Sequence, residues 1–284
     1  MANLKGSTFE KQSKDLFHRL ESFSVSRHGK DDHQTHSDKV AEKREMYTRD
    51  IISYFQENEI EGKLNQLLTQ DNINNFFNER FENLSIKTQE DYIRGFSSML
   101  KGLEEKNISI PITYDYFDNR VKELKQDQPD KIIENRYIEN VHSVIDNLYI
   151  DRYTSGLIAD IQNELGIRVS ESFELASNPD KYIDNGIVGN LVGKGNHIYE
   201  QKDISLQLTQ KILNNQEPLP DKTTYYRDLQ KYNISSHDFR FTYARDKYQE
   251  LTNNGVSQEE AKKEVSQNLN HARLSISDYY LART

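Results

Sequence analysis

Cysteine is absent from this chain of 284 residues. Without thiols, the chain can form neither disulfide bonds nor thiolate metal sites. The sequence also lacks a run of about 18 apolar residues, the length that a helix needs to cross a bilayer. The residues after Met1 do not form the apolar core of a signal peptide. We therefore expect a cytoplasmic protein with no membrane partner.

A basic surplus is missing as well, since 37 Lys and Arg face 46 Asp and Glu, for a formal net charge of −9. Proteins that bind nucleic acids usually carry excess positive charge, because neutralising phosphates releases counterions. The acidic surplus lies in residues 51–200, whereas residues 1–50 and 201–284 are nearly balanced. Local basic clusters can still create a positive surface. The charge thus argues against a nucleic-acid partner without excluding one.

Apolar residues recur mainly at helical spacing, which predicts a mainly α-helical protein. We expect an N-terminal extension at 1–38, a helical domain at 39–110, a linker at 111–130 and a second domain at 131–284. The linker is predicted from two prolines and a polar string that interrupt the helical pattern.

Capping signals mark several helix ends. The clearest N-terminal helix is predicted to begin at Thr88, with Asp91 as its capping-box partner. Gly166 is predicted to follow the end of an apolar helix. Ser257 with Glu260 forms a second capping box.

Residues 182–208 have a different pattern from the helices around them. Apolar residues flank the turn pair Asn185-Gly186, and Ile204, Leu206 and Leu208 alternate with polar residues. This pattern predicts a small antiparallel β-sheet inserted among helices.

Three histidines, His28, His33 and His36, lie in a polar N-terminal segment. Histidine-rich tracts can bind metal ions. The spacing matches no ligand pattern, so we predict a solvated loop and no metal site.

Four separated segments of the second half carry the candidate functional residues. They are Gly166-Ile167-Arg168-Val169-Ser170-Glu171, Gly193-Lys194-Gly195, Ser236-His237-Asp238-Phe239-Arg240, and Leu269-Asn270-His271 with Tyr280 nine residues after that histidine. Each alone has an ordinary explanation, because a lone arginine is usually a surface cation and a single tyrosine usually packs. Together they offer two guanidinium groups, two imidazoles, an amine and a phenol.

Such a set suits the transfer of a phosphoryl group from DNA to a side chain. The planar guanidinium groups of Arg168 and Arg240 can clamp the charged non-bridging oxygens of the transition state. His237 and His271 can hydrogen-bond the same oxygens or move protons near neutral pH.

The remaining two groups suit the attacking and leaving ends of the same reaction. Lys194, on the turn of a hairpin, can protonate the departing 5′-oxygen, and Tyr280 offers the attacking hydroxyl.

In order, spacing and local setting, the set resembles the tyrosine recombinase (phage integrase) family. The signature of that family is an arginine in Gly-Leu-Arg-x-x-Glu, a hairpin lysine, His-x-x-Arg, Leu-Gly-His, and a tyrosine nine residues later. The resemblance covers about 130–284 well and 40–107 more loosely. Asn270 stands in place of the usual glycine, and His197, Ile198 and Tyr199 stand where the hairpin often has basic residues.

The resemblance implies a two-domain clamp around DNA. A helical core-binding (SAM-like) domain would face an α+β catalytic domain. The implied activity is site-specific recombination through a 3′-phosphotyrosine intermediate, for integration or excision of a mobile element or for resolution of DNA multimers. Neither a metal ion nor ATP nor another cofactor is expected.

The resemblance also implies partners and a source. We expect double-stranded DNA carrying a recombination site, a homodimer or tetramer on that DNA, and accessory proteins. The source would be bacterial or a mobile element, and the protein would associate with the nucleoid.

Individual roles are implied in the same way. Arg168, Arg240, His237 and His271 would hold the scissile phosphate, Lys194 would be the general acid, and Glu171 would support Arg168 from behind. Tyr280 rather than Tyr279 is the expected nucleophile, because only Tyr280 has the nine-residue spacing. Candidate DNA contacts in the first domain are Lys87, Thr88 and Arg94.

Two other functions remain open. A protein of the same fold could bind or relax DNA, like a type IB topoisomerase, without recombining it. A non-catalytic helical DNA-binding or interaction protein is the other alternative. A nucleotide-binding loop at 189–194 is excluded, because only three residues separate its glycines and Gly195 follows the lysine.

Overall fold

The computed structural model describes residues 8–23, 32–126, 134–194, 196–271 and 275–284. The chain is divided into two compact units, Met1–Lys131 and Ile132–Thr284. It is mainly helical with a small three-stranded antiparallel sheet, and both of these features were predicted from the sequence. Within the described ranges, no helix has both the length and the apolar character needed to cross a membrane.

The first unit is a bundle of helices around an aromatic core. Its helices are α1 (Phe9–Phe17), a 3-10 turn (His18–Leu20), α2 (Asp38–Glu57), α3 (Leu64–Leu67), α4 (Gln70–Phe81), α5 (Ile86–Glu105) and α6 (Tyr114–Gln126). Phe76 and Phe77 on α4 and Phe96 on α5 are buried and pack ring against ring, which stabilises the bundle beyond area burial alone.

Two details of this unit differ from the sequence predictions, and one agrees with them. Helix α5 begins at Ile86, because Ser85 rather than Thr88 is the N-cap residue and accepts a bond from the Thr88 backbone N–H. The predicted linker 111–130 contains helix α6, which buries Phe117 and Val121, two apolar residues spaced four apart in a polar segment. The helical stretch that the sequence favours around Phe9–Phe23 is confirmed in part by α1, which packs into the core through Leu16.

The second unit places a small sheet among helices. Its elements are α7 (Val141–Asp151), α8 (Tyr153–Leu165), α9 (Val169–Ser177), α10 (Pro179–Tyr182), β1 (Ile183–Asp184), β2 (Ile187–Val188), β3 (Lys202–Asp203), α11 (Leu206–Leu213), α12 (Lys222–Gln230), α13 (Asp238–Asn253), α14 (Gln258–Asn268) and α15 (Ser275–Leu281). Helix α8 is buried along most of its length and forms the centre of the core.

The sheet is an antiparallel meander in the order β1-β2-β3. Asn185 and Gly186 both have positive φ, at 48° and 78°, as a tight two-residue hairpin turn requires. The alternation at Leu206 and Leu208 does not form a strand. Instead, Ser205 caps α11 by accepting a hydrogen bond from the Leu208 backbone N–H at 3.1 Å.

Two predicted helix ends are confirmed. Gly166 ends α8 with φ at 62°, and a Cβ there would collide with the Tyr243 ring, so both backbone and packing require glycine. Ser257 caps α14, and its hydroxyl also bonds the Glu260 carboxylate at 2.6 Å.

Candidate functional site

Arg168 lies where α8 ends and α9 begins. The left-handed residue Gly166 turns the chain, and Arg168 then takes the N-cap position of α9. Its backbone N–H donates to Glu171 Oε2 at 2.6 Å, while Glu171 Oε1 lies 3.7 Å from its guanidinium group. The buried carboxylate therefore holds both the backbone and the side chain of this arginine.

Arg240, on the first turn of α13, is completely buried. All its donor groups have acceptors: Tyr280 Oη at 3.3 Å, Tyr199 Oη at 3.3 Å, Leu269 O at 2.9 Å, His271 Nε2 at 3.3 Å and Gly166 O. None of these acceptors is a carboxylate, and no ion pair to Arg240 occurs within the described residues.

A buried cation without an anionic partner is costly, because the charge loses its hydration and gains only neutral acceptors. Arg168 extends to the same site, and within the described residues its ion pair is with Glu171, on the first turn of α9. The two guanidinium groups share the acceptors Tyr199 Oη and His271 Nε2. The site therefore has an excess of positive charge that an oxyanion would neutralise.

His271 lies between the two arginines. Its Nε2 is 3.4 Å from Arg168 Nη2 and 3.3 Å from Arg240 Nη2. Guanidinium nitrogens can only donate, so Nε2 must accept and the ring proton must be on Nδ1. Burial, followed by the charges of Arg240 and Arg168, lowers the pKa of His271 to about 4. The ring is therefore neutral at pH 7.

Tyr280 places its hydroxyl between Arg240 and His237. The side chain is buried, and the phenol oxygen lies 3.3 Å from Arg240 Nε and 3.2 Å from His237 Nε2. Burial, followed by the charge of Arg240, lowers the pKa of His237 to about 4, so this ring is also neutral at pH 7. The phenol oxygen accepts from Arg240 Nε, and it donates to His237 Nε2 in the tautomer of His237 that carries its proton on Nδ1.

Tyr279 has a different environment from its neighbour. It is 44% exposed, and its ring stacks on the Arg283 guanidinium group rather than facing the arginine pair.

Arg168, Arg240, His237, His271 and Tyr280 thus lie together, and Lys194 does not join them. Lys194 is exposed on the turn of a hairpin whose arms meet at Val192 and Ile198, and Gly195 lies outside the described residues. No polar contact of Lys194 with the cluster occurs within the described part of the chain. Asn270, with φ at 53°, ties this hairpin to the His271 segment by donating to His197 O at 3.1 Å.

The sequence did not single out two further residues at this site, Tyr199 and Lys202. Tyr199 is buried against both arginines, and Lys202 on β3 lies 5.9 Å from the centre of its ring. Burial, followed by the charge of Arg240, lowers the pKa of Lys202 to about 7. The one available signal was strand alternation, which turns Tyr199 inward while Ile198 and Glu200 are exposed.

Replacing Lys202 by Met is expected to stabilise the protein, and more so at low pH. Below pH 7 the lysine is charged in both states, and the folded protein bears the full cost of burying that charge. Above pH 7 the folded protein loses a proton that the unfolded chain keeps up to about 10.5, so the wild type gains stability as pH rises.

We expect Lys202→Met to raise the free energy of unfolding by about 2–4 kcal/mol at pH 6 and by less than half as much at pH 9. The lost bond to Asn268 Oδ1 costs little, because Tyr243 also donates to that oxygen. Urea unfolding at the two pH values measures both numbers. An equal effect at pH 6 and pH 9 would show that the amine is not buried in charged form.

The candidate DNA-contacting residues of the first unit are exposed on α5, but their polar groups are bonded to neighbouring side chains. Lys87 lies 2.7 Å from Asp91, Arg94 Nε lies 3.0 Å from Glu90, and the Thr88 hydroxyl bonds Ser85.

The N-terminal histidines pair with carboxylates in the same unit. His33 lies 2.5 Å from Glu105 and His36 lies 2.7 Å from Asp32, whereas His28 is outside the described residues. Within the described ranges, no group of three or more potential ligands could hold a metal ion.

The cluster has a clear chemical capacity. Two guanidinium groups can bind two oxygens of one oxyanion, and a phenol beside them can lose its proton to a neutral imidazole. A phosphodiester approached by the Tyr280 hydroxyl meets both conditions.

Comparison with known proteins adds little to this description. No family model matches the chain, and no curated protein matches it. Among solved structures, the crystal structure of XerA recombinase is similar with a TM-score of 0.38 and 14% sequence identity, over 95% of this chain and 92% of that chain. A likeness of this degree supports no statement about function, which therefore depends on the chemistry of the site itself.

Proposed function

We propose that the protein is a tyrosine-type site-specific DNA recombinase. One observation carries the proposal: the Tyr280 hydroxyl lies between Arg240 Nε and His237 Nε2, beside a second guanidinium group. A hydroxyl group, a neutral imidazole and two guanidinium groups thus occur within one cluster. This arrangement is what attack of a side chain on a phosphodiester requires.

In the proposed reaction, one DNA phosphate enters the cluster with its non-bridging oxygens on Arg168 and Arg240. The Tyr280 oxygen attacks phosphorus and transfers its proton to His237 Nε2, which is free to accept it at neutral pH. The bond from phosphorus to the 5′-oxygen breaks. The products are a 3′-phosphotyrosine and a DNA 5′-hydroxyl.

The departing 5′-oxygen needs a proton, and Lys194 is the proposed donor. Its hairpin is joined to the cluster through Asn270 and His197 O, and the proposal requires the turn to carry the amine towards the phosphate. Attack by the 5′-hydroxyl of a partner strand would then reverse the chemistry and complete strand exchange. The proposed cycle uses no metal ion and no ATP, because the bond energy stays in the phosphotyrosine.

The proposal extends to the whole protein. Two domains would clamp double-stranded DNA, with Lys87, Thr88 and Arg94 contacting the backbone once Asp91, Ser85 and Glu90 release them. A dimer or tetramer with accessory proteins would join two sites, for integration, excision or multimer resolution, on the bacterial nucleoid. The first unit would act as the core-binding domain and the second as the catalytic domain.

A plasmid assay tests this function. Candidate sites are first isolated by trapping covalent complexes on a random pool of nicked duplexes. Supercoiled plasmids with one or two copies of the trapped site are then incubated with protein in EDTA without ATP. We expect deletion or inversion only with two copies. Relaxation that needs no second site would favour the topoisomerase-like alternative, and no change with either plasmid would favour a binding protein.

A further inference from the structure

Tyr199 occupies the point where the two arginines converge. Its hydroxyl oxygen lies 3.2 Å from Arg168 Nη1 and 3.3 Å from Arg240 Nη1, and the side chain is 4% exposed. The backbone N–H of Tyr199 donates to Leu191 O at 2.9 Å, so the hairpin arm fixes the ring in this position. A neutral phenol therefore lies between two cationic groups, at the position where an oxyanion would neutralise their charge.

The hydroxyl proton of Tyr199 lacks a hydrogen-bond acceptor within the described residues when no ligand is bound. Both arginines can only donate, so they use the two lone pairs of the phenol oxygen. No acceptor for the remaining proton occurs within the described residues. Burial raises the pKa of Tyr199 in spite of the lowering by Arg240, so the phenol keeps its proton. A buried hydroxyl donor without an acceptor costs free energy that a ligand oxygen would recover.

The same ring supports the hairpin that carries Lys194. A Cβ at Gly193 would lie 2.8 Å from Tyr199 Cε2, so the hairpin backbone packs directly on the ring. Gly193 N–H also donates to His197 O at 2.8 Å, which closes the hairpin over this contact. Tyr199 therefore connects the arginine pair to the turn.

We propose that Tyr199 is a further ligand of the scissile phosphate, donating its hydroxyl proton to a non-bridging oxygen while both arginines hold its own oxygen. This inference rests on the proposed function for the identity of the ligand, a phosphodiester. It adds a neutral third donor to the two guanidinium groups. The phosphate would join the phenol rather than replace it, and it would take the Arg240 donors that now bond His271 Nε2 and Tyr280 Oη.

Tyr199→Phe tests the role, with Tyr243→Phe as matched control. Tyr243 is a nearby tyrosine whose hydroxyl bonds Asn268 and neither arginine. We expect Tyr199→Phe to slow formation of the covalent DNA complex about 10- to 100-fold, as for loss of one hydrogen bond to a charged acceptor, while the Kd for DNA rises by no more than about tenfold. A faster reaction would mean that the phenol only blocks the site, and an unchanged rate would mean that it has no role. Either result would overturn the inference.

Substrates with a methylphosphonate at the scissile position separate a direct contact from alignment of the arginines. Each stereoisomer lacks one of the two non-bridging oxygens. If Tyr199 bonds one of them, the ratio of wild-type to Tyr199→Phe rates falls towards one for the isomer that lacks that oxygen and persists for the other. An equal ratio for both isomers would assign Tyr199 to alignment alone and contradict the proposed contact.

Binding of inorganic phosphate keeps the inference distinct from the recombinase proposal. Phosphorus NMR titration of wild type, Tyr199→Phe and Tyr243→Phe measures the oxyanion site without any DNA chemistry. We expect about tenfold weaker binding for Tyr199→Phe alone. If wild type forms no covalent DNA complex yet shows this difference, the recombinase proposal fails and Tyr199 stands as an oxyanion ligand. If all three proteins bind phosphate equally, the Tyr199 inference fails whatever the DNA assay shows.

Discussion

Tyr280→Phe is expected to lower covalent DNA cleavage by at least about 10⁴-fold, below the detection limit of a denaturing gel. The change removes the oxygen that is proposed to attack phosphorus and keeps the ring, whose centre lies 4.7 Å from that of the Phe241 ring. The fold should tolerate it, because only the contacts with Arg240 and His237 are lost, at about 1–2 kcal/mol in total. DNA binding by the variant should stay close to that of the wild type.

Tyr279→Phe is the matched control for this prediction. The two tyrosines are adjacent, yet the Tyr279 ring lies against Arg283, away from the arginine pair. We expect this variant to form the covalent complex at the wild-type rate. Loss of the complex with Tyr279→Phe alone would move the nucleophile by one residue and contradict the geometry described above.

Arg240→Lys is expected to lower cleavage by about 10²–10³-fold although it keeps the charge. Lysine is a point charge with three donors and no planar fork, whereas Arg240 meets five acceptors at once. At least two of these five bonds must be lost, because the lysine ammonium group has only three donors. Each unpaired buried acceptor costs about 1–3 kcal/mol, so the free energy of unfolding should fall by a similar amount.

Arg245→Lys provides the control for this second prediction. Arg245 lies on the same helix, α13, and stacks on the Tyr137 ring outside the cluster. We expect its cleavage rate to stay within about threefold of the wild type. Rate constants for complex formation and urea unfolding of both variants give the comparison. Equal activity of Arg240→Lys and wild type would show that the positive charge alone is sufficient. That result would contradict a bidentate contact between the guanidinium group and the phosphate.

Much of the fold could be predicted from local chemistry. Caps at Gly166 and Ser257 depend on one or two neighbouring residues and were correct. Helix α6 was missed, because only Phe117 and Val121 reveal its buried face within a polar segment. The prediction of a strand through Leu206 was wrong, because short alternating runs are equally compatible with a capped helix. Here the Ser205 cap favours the helix.

The site was predictable in its residue types and less so in its geometry. Order and spacing selected Arg168, Arg240 and Tyr280, which the structure places together. The sequence could not show that Arg240 is completely buried, or that Tyr199 is inserted between the arginines, since both depend on tertiary packing. The motif also could not predict that Lys194 is exposed, because the residues of a hairpin turn determine the local backbone and not the distance of the turn from the cluster.

Identifying the DNA-linked peptide tests the central claim most directly. Wild-type protein would be trapped on a nicked suicide duplex, digested with nuclease and protease, and analysed by tandem mass spectrometry. The proposed mechanism predicts one modified peptide, with a nucleotide linked through its 3′-phosphate to Tyr280. A nucleotide on any other residue, a 5′-linked nucleotide on Tyr280, or no modified peptide across the random duplex pool would contradict it.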